Sequence, residues 1–246
     1  MRLRPFVITL GLASILVAPR PGHADSIALT ANFDNTLYED GTGGISNGAG
    51  WFMFAGKAAG LRRALFAFDV AASIPANSTI TGATLSLYCS RTNPANTTVL
   101  INLHRVLAAW GEGTSDAGDP GGAGTAAATG DATWIHTFHN TSLWTNAGGD
   151  FDATASGGQS VTGTGSHVWG STAGMVADVQ AWLDTPSSNA GWILIGDEAA
   201  TLVNAKRFNT REHPEGSQRP ILTITYDLPP VGVETGAWTA VKALYR

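Results

Sequence analysis

Apolar and polar residues alternate with a period of two along most of the chain, which predicts a protein built from short β-strands. The longest example is Thr79 to Ser90, in which Ala83, Leu85, Leu87 and Cys89 share one face. We therefore expect Cys89 to be a buried apolar residue rather than a reactive thiol. The other predicted strands are Ser26 to Thr30, Asp34 to Glu39, Trp51 to Ala55, Leu61 to Val70, Thr97 to Leu107, Trp134 to His139, Gly191 to Gly196, Ala205 to Arg211 and Pro220 to Tyr226.

Helical periodicity occurs in one segment. Ser171 or Thr172 can cap this helix, Pro186 ends it, and its apolar residues recur every three or four positions: Met175, Val176, Val179, Trp182 and Leu183. The Gly-rich stretches 111–130 and 140–166 are expected to be surface loops. Many short strands with a single helix predict an all-β fold, an antiparallel β-sandwich of jelly-roll type with one short helix.

The first 24 residues have the pattern of an export signal. Arg2 and Arg4 precede an apolar run from Phe6 to Ala18, and small residues lead to a cleavage position after Ala24. The apolar run is shorter than the roughly 20 residues that a membrane-spanning helix needs. We therefore expect a secreted protein, extracellular or at the cell surface, with a signal peptide over 1–24, a sandwich domain over 25–227, and a linker and tail over 228–246.

Charge and cysteine content narrow the function further. The whole chain carries a formal charge of −5, and removing the three arginines of the signal peptide leaves 11 basic against 19 acidic side chains, a charge of −8. Such an acidic protein is a poor partner for nucleic acid or anionic membranes, which require clustered Lys and Arg. A single cysteine excludes an internal disulfide.

Several short motifs occur in an ordered series: DNTLYE, RRALFAFDV, IPANSTI, LHRVLAAWGEGTS, MVADVQAWLD, GWILIG, AKRFNTRE and RPILTITY. In this order, from Ile27 to Asp227, the chain resembles the DNRLRE domain. That domain is also classed as carbohydrate-binding module family 96 and is related to the repeats of archaeal disaggregatase. The resemblance implies a secreted prokaryotic β-sandwich that accompanies polysaccharide-degrading or surface proteins, and some such modules bind acidic polysaccharides such as alginate. The end, Trp238 to Arg246, resembles a short tail of exported bacterial proteins, which implies association with the cell surface.

Arginines and tryptophans are the predicted ligand-binding residues. A guanidinium grips a carboxylate through two hydrogen bonds, and a flat ring covers the apolar face of a sugar. The candidates are Arg207 and Arg211 on one face of a predicted strand, Lys206 on its other face, and Trp110, Trp134 and Trp169 at strand ends or in loops. Arg62 and Arg63, with Asp69 and Glu212, are better explained as internal ion pairs than as a second basic site.

A structural calcium ion is the one candidate cofactor, because acidic residues cluster in the loops. The candidate ligands are Asp116, Asp119 and Asp131 in the Gly-rich loop, and the alternative set is Asp34, Glu39 and Asp40. Neither set has the spacing of an EF-hand loop.

Sequence motifs give little support for catalysis. HExxH does not occur, and we expect His136 and His139 to point to opposite faces of one strand. The leading hypothesis is a secreted, non-catalytic module that binds an acidic polysaccharide. The alternatives are a structural cell-surface or matrix protein whose tail directs sorting, and a glycan-cleaving enzyme with carboxylates brought together from distant parts of the chain.

Overall fold

The computed structural model describes residues 24–93 and 98–229. Nearly all of their regular structure is antiparallel β-sheet, and the single α-helix is short. The predicted all-β, sandwich-like class is therefore confirmed. The signal peptide before Ala24 and the tail from Trp238 to Arg246 lie outside the described residues.

Residues 24–93 and 98–229 contain fifteen strands, one α-helix and two short 3-10 turns. The strands are β1 (Ala24–Thr30), β2 (Phe33–Tyr38), β3 (Ile45–Ser46), β4 (Phe52–Lys57), β5 (Leu61–Ala67), β6 (Thr79–Arg91), β7 (Val99–Arg105), β8 (Thr125–Ala126), β9 (His136–Phe138), β10 (Ser142–Leu143), β11 (Gly157–Val161), β12 (Gly165–Trp169), β13 (Trp192–Ile195), β14 (Lys206–Asn209) and β15 (Ile221–Asp227). Helix α1 is Ala173–Asp184, and the 3-10 turns are Pro186–Ser188 and Gly216–Gln218.

Eleven strands form one continuous sheet that curls over on itself. One half contains β1, β15, β6, β12 and β14, and the other contains β2, β5, β13, β7 and β11. Strand β4 joins them, because Phe52 to Ala55 pair with β14 whereas Gly56 and Lys57 pair with β5. The bend falls at Gly56, whose φ of 110° is open to glycine but rare for other residues.

The main hydrophobic core lies between the two halves of the curled sheet. It combines the inward residues of β6 with Phe66 and Phe68 from the β5 side and with the apolar face of α1. Thr172 caps α1, since its Oγ1 accepts the backbone N–H of Met175 at 3.1 Å. The indole rings of Trp182 and Trp192 meet edge to face, with centroids 4.5 Å apart. The predicted helix and the buried Cys89 are both confirmed.

A second, smaller core covers the outer face of β5 and β13. Leu37, Leu65 and Ile193 pack there against Trp134 and Trp144, which come from the long loop region after β7. Strand β5 is therefore buried on both faces rather than on one. This arrangement brings the loop residues after Trp110 next to the start of β2.

The segment 140–166 is not the continuous loop that its composition predicts. Strand β11 pairs with Val99 to Leu103 of β7, and β12 pairs with Leu85 to Cys89 of β6. Gly157, Gly158 and Gly165 belong to a residue type that is depleted in strands, so the pairing partners rather than the local pattern determine these strands.

The predicted strand Trp134 to His139 is shortened to β9, which ends at Phe138. His139 lies in the following turn, and its ring contacts His136 edge to face with centroids 5.0 Å apart. The expectation that these two side chains point to opposite faces was therefore wrong, because strand alternation ends with the strand.

No helix in 24–93 and 98–229 is long and apolar enough to cross a lipid bilayer.

Candidate functional site

Three arginines line one surface cavity of about 350 Å³ between β4, β6 and β14. Arg62, Arg91 and Arg207 contribute the charge, and Phe54 with Val203 contributes apolar surface. The volume lies near the lower end of the range for small-ligand pockets, about 300–1,000 Å³. We call this group of residues the arginine cavity.

Arg207 is held at the arginine cavity by three neighbours. Its guanidinium carbon lies 3.7 Å from the centroid of the Phe52 ring, its NH1 group donates to Oδ1 of Asp119 at 3.1 Å, and its Nε donates to Oγ of Ser90 at 3.1 Å. Burial lowers the pKa of Arg207, and the Asp119 carboxylate opposes that shift. Because Asp119 is mostly exposed, solvent weakens this ion pair, and an incoming anion can compete for the guanidinium.

Arg62 is the most buried of the three arginines. Its guanidinium carbon lies 4.8 Å from the centroid of the Tyr38 ring, and its NH1 group donates to the carbonyl of Leu61 at 2.9 Å. Its Nε–H has no acceptor among the described residues. Burial therefore lowers the pKa of Arg62, and the cost of desolvating its charge is only partly compensated.

A second cavity of about 540 Å³ has the opposite character. Its lining includes Asn102, Asp197, Glu198 and Asn204. Glu198 is already held by Arg63 through two hydrogen bonds of 2.7 and 2.8 Å. These carboxylates repel an anionic ligand, so the arginine cavity is the better candidate for an acidic sugar.

The arginines predicted to pair with Asp69 and Glu212 have other partners. Arg63 pairs with Glu198 and also donates to the carbonyl of Gly148 at 2.7 Å, whereas Arg62 stacks on Tyr38. Internal pairing was the right kind of explanation for Arg63, but the predicted partners were wrong.

Two predicted ligand residues, Lys206 and Trp169, are completely buried. Lys206 is 0% exposed, and its Nζ donates to Oγ1 of Thr92 at 2.5 Å. Trp169 is also 0% exposed, and its indole N–H donates to the carbonyl of Ile101 at 3.0 Å. Strand alternation correctly separated Lys206 from Arg207, but Lys206 is on the core side. Both predictions of ligand contact are therefore wrong.

The two other predicted tryptophans also support the loops. The Trp110 indole N–H donates to the carbonyl of Ala190 at 2.8 Å, and Trp134 is buried beneath the Arg63 guanidinium. Neither lines the arginine cavity. Phe54, which the sequence did not single out, is the aromatic side chain at that cavity.

The acidic residues predicted as metal ligands do not come together. Asp131 is buried and accepts the backbone N–H groups of Thr114 and Ala128, each at 2.8 Å. Asp116 accepts the N–H of Gly118, and Asp119 pairs with Arg207. Because each carboxylate is engaged separately, the predicted site of Asp116, Asp119 and Asp131 is wrong.

A different carboxylate group does assemble, at the start of β2. Asp34, Glu112 and Glu212 each contribute one oxygen, and these three oxygens lie within 4.8 Å of one another. We call these residues the acidic cluster. Asp34 was predicted as a metal ligand and Glu212 as an ion-pair partner, but their separation in sequence concealed their proximity.

Arg211 contacts all three members of the acidic cluster. Its guanidinium donates to both Glu112 oxygens, at 2.7 and 2.5 Å, and lies 2.8 Å from Oε1 of Glu212. Its backbone N–H donates to Oδ2 of Asp34 at 2.8 Å. Arg211 was predicted to share a ligand-binding face with Arg207, but it follows the end of β14 and pairs with these acids instead. That prediction is wrong.

Asn35 fixes the geometry around the acidic cluster. Its Nδ2 donates to Oγ of Ser46 at 2.9 Å and to the backbone carbonyl of Glu112 at 2.8 Å, and its Oδ1 accepts the N–H of Asn47 at 3.2 Å. One buried amide therefore connects β2, β3 and the loop after Trp110. The Asp34-Asn35 pair in the first motif thus has a structural role.

Burial, together with the negative charge of Glu212 and Glu112, raises the pKa of Asp34, against the hydrogen bond from Arg211. Burial also raises the pKa of Glu212, which Arg211 opposes and Glu112 reinforces. Arg211 alone therefore does not offset the burial of these carboxylates and the repulsion between them.

No protein-family model matches this chain, and no curated protein matches it.

Proposed function

We propose that this protein is a secreted, non-catalytic module of the DNRLRE type that binds an acidic polysaccharide at the arginine cavity. The observation that carries the proposal is the convergence of Arg62, Arg91 and Arg207 on one cavity. A chain of net negative charge that gathers three guanidinium groups at one place favours an anionic ligand there.

The chemistry of the cavity suits a sugar carboxylate. Among the described residues, the ionic partner of Arg207 is an exposed carboxylate, and Nε–H of Arg62 has no acceptor. A uronate could supply acceptors to both while its apolar ring face packs on Phe54. Discrimination against neutral sugars would follow, because they cannot offset the buried positive charge.

Binding is better supported than cleavage. A glycosidase needs two carboxyl groups that reach the scissile bond. In the acidic cluster, Asp34 is 0% exposed and both oxygens of Glu112 accept from Arg211. Such engaged carboxylates suit a structural or ion-binding role.

The test is affinity electrophoresis of the purified full chain in gels that contain alginate, polygalacturonate or a neutral glucan. We expect retardation by the polyuronates alone, weakened by salt, since exposed ion pairs are screened. Arg91→Gln should weaken retention about tenfold, because one charge-assisted contact is worth roughly 1.5–3 kcal/mol. Arg91 is exposed, so the substitution leaves the core intact.

Arg105→Gln is the matched control, because it also removes one arginine charge. Arg105 lies outside the arginine cavity, with its Nε 3.7 Å from Oδ1 of Asp178. Equal losses from both substitutions would indicate a non-specific charge effect and contradict the proposed site. Release of reducing ends from either polyuronate would show that the protein cleaves the polysaccharide, and would contradict a purely binding role. Lack of retention on every polysaccharide, by folded protein, would favour the structural cell-surface role instead.

A further inference from the structure

We propose that Asp34, Glu112 and Glu212 bind one divalent cation, and that Ca²⁺ is the ion that fits best. The three side chains come from the start of β2, the loop after Trp110 and the turn after β14. None of them lines the arginine cavity. The inference is therefore independent of the proposed polysaccharide binding.

The distances suit an ion bound by oxygen. Calcium–oxygen bonds measure about 2.3–2.6 Å, so two ligands on opposite sides of the ion are about 4.8 Å apart. The three carboxylate oxygens lie within that separation of one another. Mg²⁺ demands near-ideal octahedral geometry and is usually bound through one or two carboxylates, so three carboxylates from different segments suit it less well.

A buried oxygen without a donor points to the same ligand. Asp34 is 0% exposed, its Oδ2 accepts the N–H of Arg211, and its Oδ1 has no hydrogen-bond partner among the described residues. Both oxygens of Glu212 are also buried; Oε1 lies 2.8 Å from the Arg211 guanidinium, and Oε2 has no hydrogen-bond partner among the described residues. Buried carboxylate oxygens of this kind are normally satisfied by donors or by a metal.

The charge balance also favours a cation. Three carboxylates face one guanidinium, which donates two hydrogen bonds to Glu112 and forms an ion pair with Glu212. A divalent ion would neutralise the remaining two charges. The side chains of Arg211 and Glu212 are 38% and 18% exposed, so the acidic cluster lies close to the protein surface.

The nearby guanidinium also limits the affinity. Because Arg211 repels a bound cation, we expect a Ca²⁺ affinity like that of the weak extracellular calcium modules, with Kd values of about 10⁻⁴–10⁻³ M. At such an affinity the ion would be bound in calcium-rich extracellular fluid and released by chelators. Its effect would be to join three distant segments of the chain.

The experiment is calorimetric titration of the EDTA-treated full chain with CaCl₂ and, separately, MgCl₂. We expect one Ca²⁺ per chain, weaker Mg²⁺ binding, and a higher unfolding temperature with Ca²⁺. Asp34→Asn should weaken Ca²⁺ binding at least tenfold, because it keeps the shape but removes the charge at the unpaired oxygen. Asp116→Asn is the control, since Asp116 is an exposed loop acid outside the acidic cluster.

Two results would overturn the inference: no binding and no thermal shift at Ca²⁺ concentrations well above this range, or unchanged affinity in Asp34→Asn. Loss of affinity in Asp116→Asn but not in Asp34→Asn would place the ion in the Gly-rich loop instead. Should Asp34→Asn fail to fold, Glu212→Gln decides, because Glu212 is partly exposed. Wild-type affinity in that variant would equally contradict the site.

Discussion

The backbone N–H of Arg211 donates a 2.8 Å hydrogen bond to Oδ2 of Asp34, across 177 residues of sequence. This bond fixes one oxygen of a buried carboxylate and leaves the other without a donor. The start of β2 and the turn after β14 are thereby held together by a group whose charge is poorly compensated. Stability should consequently depend on the protonation of Asp34.

We predict that, in EDTA, the protein loses stability relative to Asp34→Asn as pH rises from about 4. Burial and the carboxylates of Glu212 and Glu112 raise the pKa of Asp34, against Arg211. The folded state therefore keeps this proton at a pH where the unfolded state, with a pKa near 3.9, has released it. The stabilisation is complete below the unfolded pKa and is lost as pH rises through the folded pKa.

Urea unfolding of both proteins at several pH values measures this difference. At pH 8 we expect Asp34→Asn to be more stable by about 1–3 kcal/mol, the usual cost of an unsatisfied buried polar group. Asp69→Asn, at an exposed aspartate, should show no such trend. A constant difference between wild type and Asp34→Asn across pH would rule out the predicted linkage.

Gly48→Ala should destabilise the protein by about 2 kcal/mol or more. A Cβ at this position would lie 1.7 Å from the backbone oxygen of Glu112, so the loop would have to move. Thermal unfolding measures the loss. Gly41→Ala is the control, because a Cβ there has no neighbour within 4 Å among the described residues; a similar loss in both variants would show that the close approach is unimportant.

Asp178→Ala should cost about 2–4 kcal/mol, and Asp178→Asn distinctly less. Oδ2 of Asp178 accepts the indole N–H of Trp192 at 2.7 Å and the hydroxyl of Ser156 at 2.5 Å. Removing the acceptor leaves a buried donor unpaired, whereas asparagine retains a carbonyl oxygen. Guanidinium unfolding of the two variants gives the comparison, and equal losses would show that these hydrogen bonds contribute little.

Arg63→Gln should lower stability by about 2–3 kcal/mol without changing retention on polyuronate gels. Arg63 forms a partly buried, bidentate pair with Glu198, and its guanidinium lies 4.9 Å from the centroid of the Trp134 ring. The stability of Arg63→Lys should lie between those of the wild type and Arg63→Gln, since lysine keeps the charge but not the planar fork. If folded Arg63→Gln were retained more weakly, Arg63 would itself contribute to polysaccharide binding.

The local pattern of apolar and polar residues was sufficient to predict an element where burial follows the period of that pattern. The prediction Thr79 to Ser90 differs from β6 by one residue, and Thr172 is one of the two proposed helix caps. Strand β12 was missed because its partner on β6, rather than its own polar sequence, specifies it. Trp169 at its end was consequently placed among the tryptophans at strand ends or in loops rather than in the core.

The candidate sites were harder to predict than the strands and the helix, because they depend on contacts between segments that are distant in sequence. Arg207 was identified because a guanidinium can grip a carboxylate through two hydrogen bonds, and it does line a cavity. The acidic cluster joins positions 34, 112 and 212, and no local period links them. The register of β14 against β4 and the course of the Gly-rich loop bring these residues together, and both arise from tertiary packing.

Strand β1 pairs with β15 along its whole length, from Ala24 opposite Asp227 to Thr30 opposite Ile221. The two ends of the sandwich therefore emerge side by side, so the domain adds little distance to any longer chain in which it is placed. A force applied at residues 24 and 227 would break this ladder one rung at a time from its open end, rather than shear all rungs together. Tension along the chain would thus detach β1 before it disturbed the arginine cavity or the acidic cluster.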